Sequence, residues 1–159
     1  MLKMKPTPPL SISLEKVCFI ATMAREFDAK DIVTDPGDSS NASDDGMRSV
    51  LEDHRNDPVQ QELTVFIGDL SEDEQVDLVA LAWLGRGDGD LSDWQELRSE
   101  AARAHNERTA SYLLGMPLLG DYLEEASTRK AMAQYLSILA SQTTIEGVTL
   151  PIAEGPLVQ

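Results

Sequence analysis

Apolar positions recur every three or four residues over most of the chain, and the rhythm is broken by proline, glycine and short acidic runs, which predicts helices joined by turns. The first helix starts at Ser13, whose hydroxyl can cap first-turn N–H groups while Ile12 and Val17 occupy the two positions of a hydrophobic staple. Its apolar face reads Leu14, Val17, Cys18, Ala21, Ala24 and Phe27. Asp31 to Asp45 reads as an acidic loop, after which Ser43 can cap a short helix through Met47, Val50 and Leu51. Asp57-Pro58 supplies the cap and first position of another helix, carrying Val59, Leu63, Phe66 and Ile67.

The clearest start is Ser71-Glu72-Asp73-Glu74, a capping box with three acids where the helix dipole favours negative charge. From Val76 to Leu84 this helix has Asp77 as its only polar member. A helix apolar nearly all round belongs in the middle of a bundle. Gly85 is read as its left-handed end. Ser92, with Gln95 three residues on, is read as the start of a helix unbroken to Leu114, its stripe formed by Trp94, Leu97, Ala101, Ala104, Tyr112 and Leu113 with His105 and Arg108 beside it. Pro117 is placed in the first turn of a last helix bearing Leu118, Leu119, Tyr122, Leu123 and Ala126. Ser127-Thr128 is a candidate break before Met132, Tyr135, Leu136 and Leu139 continue the pattern. The fold expected is all-α, an irregular or orthogonal bundle of five to seven helices around a central helical hairpin at 71–114. Residues 1–10 are read as a flexible N-terminal segment, 11–141 as a single helical domain and 142–159 as a C-terminal tail.

Charge changes the picture of partners. The formal net charge is −15, from 28 acids against 13 bases, which argues against a basic patch for a nucleic-acid backbone or an anionic membrane. A protein partner, a basic one included, or self-association is the expected mode. The single cysteine, Cys18, precludes an internal disulfide, and its place on an apolar face predicts a buried, unreactive thiol. Three prolines among the first nine residues and the absence of an apolar run predict no export signal, hence a cytoplasmic protein.

The glycine-aspartate loop from Gly85 to Asp93 invites three readings. As a phosphate loop it lacks the lysine, follows a helix rather than a strand, and carries Asp88 and Asp90, which repel phosphate. As a calcium loop it puts Arg86 at a ligand position, leaving only a noncognate site of Asp88, Asp90 and Asp93. As a structural corner it needs only glycine turns, an Arg86 ion pair and acids that serve the next helix. Asp77, His105 and Arg108 are the other polar groups placed on apolar faces, and an antiparallel hairpin would let Arg108 neutralise Asp77. No His-Glu-x-x-His, Gly-x-Ser-x-Gly or Cys-x-x-Cys pattern supplies a catalytic centre, and no cofactor is implied.

The stretch Asp77-Leu-Val-Ala-Leu-Ala-Trp-Leu-Gly-Arg-Gly-Asp-Gly89, with Ala101-Ala-Arg-Ala-His-Asn106 and Tyr112-Leu-Leu-Gly115, resembles a family of small proteobacterial proteins known only as a domain of unknown function. The resemblance covers about residues 10–125. It implies a bacterial, cytoplasmic protein and brings no activity or catalytic residues. The function expected is that of a non-enzymatic, acidic helical protein-interaction module. The alternative is a divalent-cation or small-ligand binding domain using the acidic loops 31–57 and 85–93. Asp77, Arg86, Asp88, Asp90, Asp93, His105 and Arg108 are the candidate binding residues.

Overall fold

The computed structural model describes residues 9–34 and 57–145. Among them run six α-helices and no strand: α1 (Leu14–Thr34), α2 (Pro58–Asp69), α3 (Glu72–Arg86), α4 (Trp94–Ala104), α5 (Thr109–Leu114) and α6 (Leu119–Ile145), with a 3-10 turn at Leu91–Asp93. The all-α bundle expected from the sequence is the fold. The helix expected from Ser43, and most of the acidic loop 31–57, lie outside the described residues. Helix α1 extends through Thr34, past the point at which the loop was expected to begin.

The caps follow the local chemistry. Ser13 Oγ accepts the Lys16 N–H at 3.3 Å, and the staple residues Ile12 and Val17 are both buried. Asp57 caps α2 through the Val59 N–H at 2.8 Å. The capping box of α3 is complete in both directions, and Lys16 Nζ reaches Glu74 Oε1 at 2.5 Å, tying α1 to the start of α3. That ammonium, with the Ser71 N–H, holds the Glu74 carboxyl below the usual glutamate range.

Helix α3 is the axis of the bundle. Val76 to Ala82 and Leu84 are all buried, Asp77 included. Helix α6 packs chiefly against α1 and α3, and α4 flanks α3. The buried face of α1 is Val17, Ile20, Ala21 and Ala24. Cys18 is exposed, one position off that face, and Leu14 is exposed too, so the expected burial of the thiol is corrected.

Four boundaries also differ from the sequence reading. Helix α3 continues through Gly85 to Arg86, and Gly87, at φ 99°, supplies the left-handed end. The expected cap at Ser92 gives way to Asp90 and Asp93 around the 3-10 turn, with Asp93 Oδ2 accepting the Asp90 N–H at 2.9 Å. The expected helix 92–114 breaks at Ala104. Asn106 Oδ1 accepts the Arg108 N–H at 2.8 Å, and its carbonyl accepts the Thr109 hydroxyl at 2.8 Å, a local turn that competes with helix continuation. Helix α6 starts after Leu118, which sits at φ 61°, and then passes through Ser127-Thr128 unbroken, the Ser127 hydroxyl donating to the Leu123 carbonyl at 2.6 Å.

A buried ion cluster and an apolar groove

Two sites are built on α3, one on each side. On the first, Asp77 is 1% exposed and accepts the Ser11 N–H at 2.5 Å and Arg98 Nε at 2.6 Å. Ser11 belongs to the N-terminal segment before α1, and Arg98 to α4. Arg98 also approaches Ser11 Oγ at 3.4 Å and Asp73 at 3.7 Å. The charge that neutralises Asp77 therefore comes from Arg98, and the expected partner Arg108 is elsewhere. The break at Ala104 puts Arg108 beyond the end of α4, while Arg98 stands mid-helix beside α3.

Lys130 of α6 completes the cluster. It is 5% exposed, its Nζ lies 3.9 Å from the centroid of the Trp94 ring, and among the described residues that Nζ has no hydrogen-bond partner. Burial pushes its amine down to about 8; the Asp77 carboxylate opposes this and the Arg98 guanidinium adds to it. Unfolding restores an ordinary value near 10.5. Between those two values the folded form has released a proton that the unfolded form keeps, so this group's contribution to stability rises with pH across that window. Below about pH 8 the folded chain carries the full penalty of a buried charge. Lys130→Met is expected to be more stable than the parent at pH 7, with its advantage shrinking as pH rises from 8 towards 10.5. Urea midpoints measured at pH 7, 8.5 and 10 check this, and a constant difference would refute it.

On the other side of α3 lies a groove of about 480 Å³. Val79 and Trp83 form one wall, Ala101 and Ala104 of α4 another, and Tyr112 of α5 a third, with His105 and Arg108 at the turn that closes it. Trp83 Nε1 donates to Tyr112 Oη at 2.8 Å, joining two walls. His105 Nε2 lies 2.8 Å from Gln75 Oε1 and its Nδ1 3.9 Å from Glu72, so the imidazole fastens the turn to the start of α3. Gln75 uses its amide to bond the Ile67 and Leu70 carbonyls at 3.1 Å.

The seven candidate residues therefore fall into three places. Asp77 is in the ion cluster; His105 and Arg108 line the groove. Arg86 pairs with Asp88 at 2.5 Å beside Tyr112, and Asp90 with Asp93 forms the cap of the 3-10 turn. The loop carboxylates are thus spent on the corner itself, and among the described residues no three His, Cys, Asp or Glu side chains converge in a way that could hold a metal. Sequence reasoning missed Arg98 and Lys130. The signal for Lys130 was present, since it follows Leu119, Leu123 and Ala126 at four-, three- and four-residue steps, the place of a core residue.

These features define an all-α bundle protein. Over residues 60–132 it matches the model of a family described as a protein of unknown function (DUF3775). The resemblance read from the sequence is to such a family, over bounds that begin later and end later than expected. The match spans α2 to the middle of α6 and contains the groove, Asp77, Arg98 and Lys130. No curated protein and no solved structure matches the chain. No helix among the described residues is long and apolar enough to cross a membrane.

Proposed function

We propose that this protein is a non-enzymatic helical interaction module that pairs with a second copy of itself through the C-terminal half of α6. The observation that supports this reading is a reversal of the apolar face of that helix. Leu123, Ala126 and Ser127 are buried, whereas Met132, Tyr135 and Leu136, each nine residues further on, are exposed. Nine residues at 3.6 per turn make two and a half turns, so the second stripe points away from the bundle. A helix still packing on its own core would keep its phase.

The occupant is argued from charge. Residues 131–142 carry no charged side chain in a chain of net charge −15, so this is the surface on which two copies meet with least repulsion. A helix stripe is also self-complementary about a two-fold axis, the commonest symmetry of soluble oligomers. The reversal begins where the family match ends, at residue 132, so the stripe adds to the matched domain rather than closing it. Leu136→Glu is expected to convert a dimer into a monomer without lowering the melting temperature of the monomeric fold. Light scattering across a dilution series, with melting followed by circular dichroism, makes the test. A parent chain monomeric at about 100 µM would reject self-pairing at any ordinary protein–protein affinity. A variant that loses stability while both chains are monomeric would show the face to be covered by its own chain.

A further inference from the structure

The apolar groove beside α3 carries chemistry that self-association through α6 does not use. It encloses about 480 Å³, inside the range of small-molecule sites and about three times the volume of a cavity that takes up benzene. Helices α3, α4 and α5 wall it, and the turn at 105–108 stops one end, so a peptide helix cannot run through it as through an open trough. Ala101 and Ala104 stand three residues apart on α4, and with no side chain beyond Cβ they leave a flat wall. The rings of Trp83 and Tyr112 supply further walls, held to each other by the 2.8 Å bond from Nε1 to Oη. A slot between alanine methyls and two joined aromatic rings suits a planar ring better than a branched chain.

The charge of the groove is one-sided. No carboxylate lines it, in a chain with 28 acids, while His105 and Arg108 both do. The His105 imidazole is engaged by Gln75 and Glu72 at the start of α3. Arg108 is exposed, and among the described residues its side chain makes no ion pair or hydrogen bond. Its contacts run through the backbone, the N–H donating to Asn106 Oδ1 and the carbonyl accepting the Tyr112 N–H. Tyr112 follows one helical turn later, which places the two side chains on the same face of α5. The Tyr112 hydroxyl already accepts from Trp83, so its own proton is left to donate, and no acceptor takes it among the described residues. One guanidinium fork and one phenolic O–H match the two oxygens of a single carboxylate. We propose that the groove binds a small aromatic monocarboxylate, its ring between the alanine wall and the Trp83–Tyr112 pair and its carboxylate on Arg108, with the Tyr112 hydroxyl as the second donor.

The groove shares no residue with the exposed stripe of α6, so Leu136→Glu is expected to bind as the parent does, whatever its state of association. The full chain is titrated with sodium naphthoate by calorimetry and melted in it, against sodium chloride at equal ionic strength. The parent is expected to gain melting temperature in naphthoate and not in chloride. Naphthol has the rings without the charge, and cyclohexanecarboxylate the charge without the flat ring; each is expected to bind about tenfold more weakly than naphthoate. Arg108→Met is expected to fold as the parent does and to bind naphthoate no better than naphthol. Ala104→Phe keeps Arg108 but fills the groove from an exposed position at the end of α4, and is expected to abolish the response to naphthoate. It decides the matter if Arg108→Met fails to fold. No naphthoate shift beyond that of chloride, full affinity in Arg108→Met or in Ala104→Phe, or cyclohexanecarboxylate binding as tightly as naphthoate would overturn the proposal.

Discussion

Gly85→Ala is expected to destabilise the bundle by about 3 kcal/mol or more, although alanine is the better helix former by roughly 1 kcal/mol. A Cβ at Gly85 would lie 1.9 Å from the Tyr122 carbonyl oxygen, 2.5 Å from its carbon and 2.6 Å from the Tyr122 Cα. All three are backbone atoms, so no side chain can swing aside and α6 itself must move. Its freedom to do so is limited on the far side, where a Cβ at Gly120 would meet the Ala21 carbonyl oxygen at 2.6 Å. The first turns of α6 are thus set close between α3 and α1, with glycine at both crossings. Gly68 is the control, because it lies in α2 with nothing within 4 Å of its Cβ position. Gly68→Ala is expected to be neutral or stabilising by up to about 1 kcal/mol. Urea unfolding of the two variants checks this, and a Gly85→Ala midpoint equal to that of Gly68→Ala would show that the crossing has slack.

Gly85 also marks what the sequence can and cannot say. A glycine after an apolar run reads locally as a helix end, and the run of Val76 to Leu84 was enough to place α3 at the centre of the bundle. The glycine that ends the helix lies two residues later, because Gly85 is demanded by a neighbour 37 positions away in the chain. Caps were legible at Ser13, Asp57 and Ser71 because a cap is made within four residues. The break at His105 was missed because the apolar stripe runs across it, while Asn106 and the His105–Gln75 bond interrupt the backbone beneath.

The same division holds for the sites. Asp77 stood out as the one polar residue on a buried helix, and it is the centre of the cluster. Its partner was misassigned because pairing depends on which helix faces it and at what height, and an error of one helix break shifts the choice from Arg98 to Arg108. Lys130 was hidden by its residue type, since lysine is read as surface even in a core register. The face reversal of α6 is likewise present in the spacing of Leu123 and Met132, but a candidate break at Ser127-Thr128 would reset the phase and so hides it in the sequence.

Arg98→Met is expected to cost about 3 kcal/mol, the lower end for breaking a buried pair because the Arg98 side chain is 35% exposed while that of Asp77 is 1% exposed. The loss comes mainly from what remains, a buried carboxylate with the Ser11 N–H as its one hydrogen bond among the described residues and the Lys130 charge nearby. Asp77→Leu is expected to cost less, on the order of 1–3 kcal/mol, because the freed guanidinium can turn towards Asp73 and solvent, leaving chiefly the Ser11 N–H unpaired. The double variant is expected to recover much of the Arg98→Met loss, giving a coupling of about 1–3 kcal/mol between the two positions. Arg108→Met, which touches neither residue, is expected to change stability by no more than about 0.5 kcal/mol. Strict additivity of the two single changes would mean that Asp77 and Arg98 do not act as a unit. In the double variant Lys130 loses both the carboxylate that favours its charge and the guanidinium that opposes it, so burial alone should hold its amine below the usual lysine range. Stability of that variant should therefore still rise with pH above about 8, and a flat profile there would show that the parent's slope comes from another group.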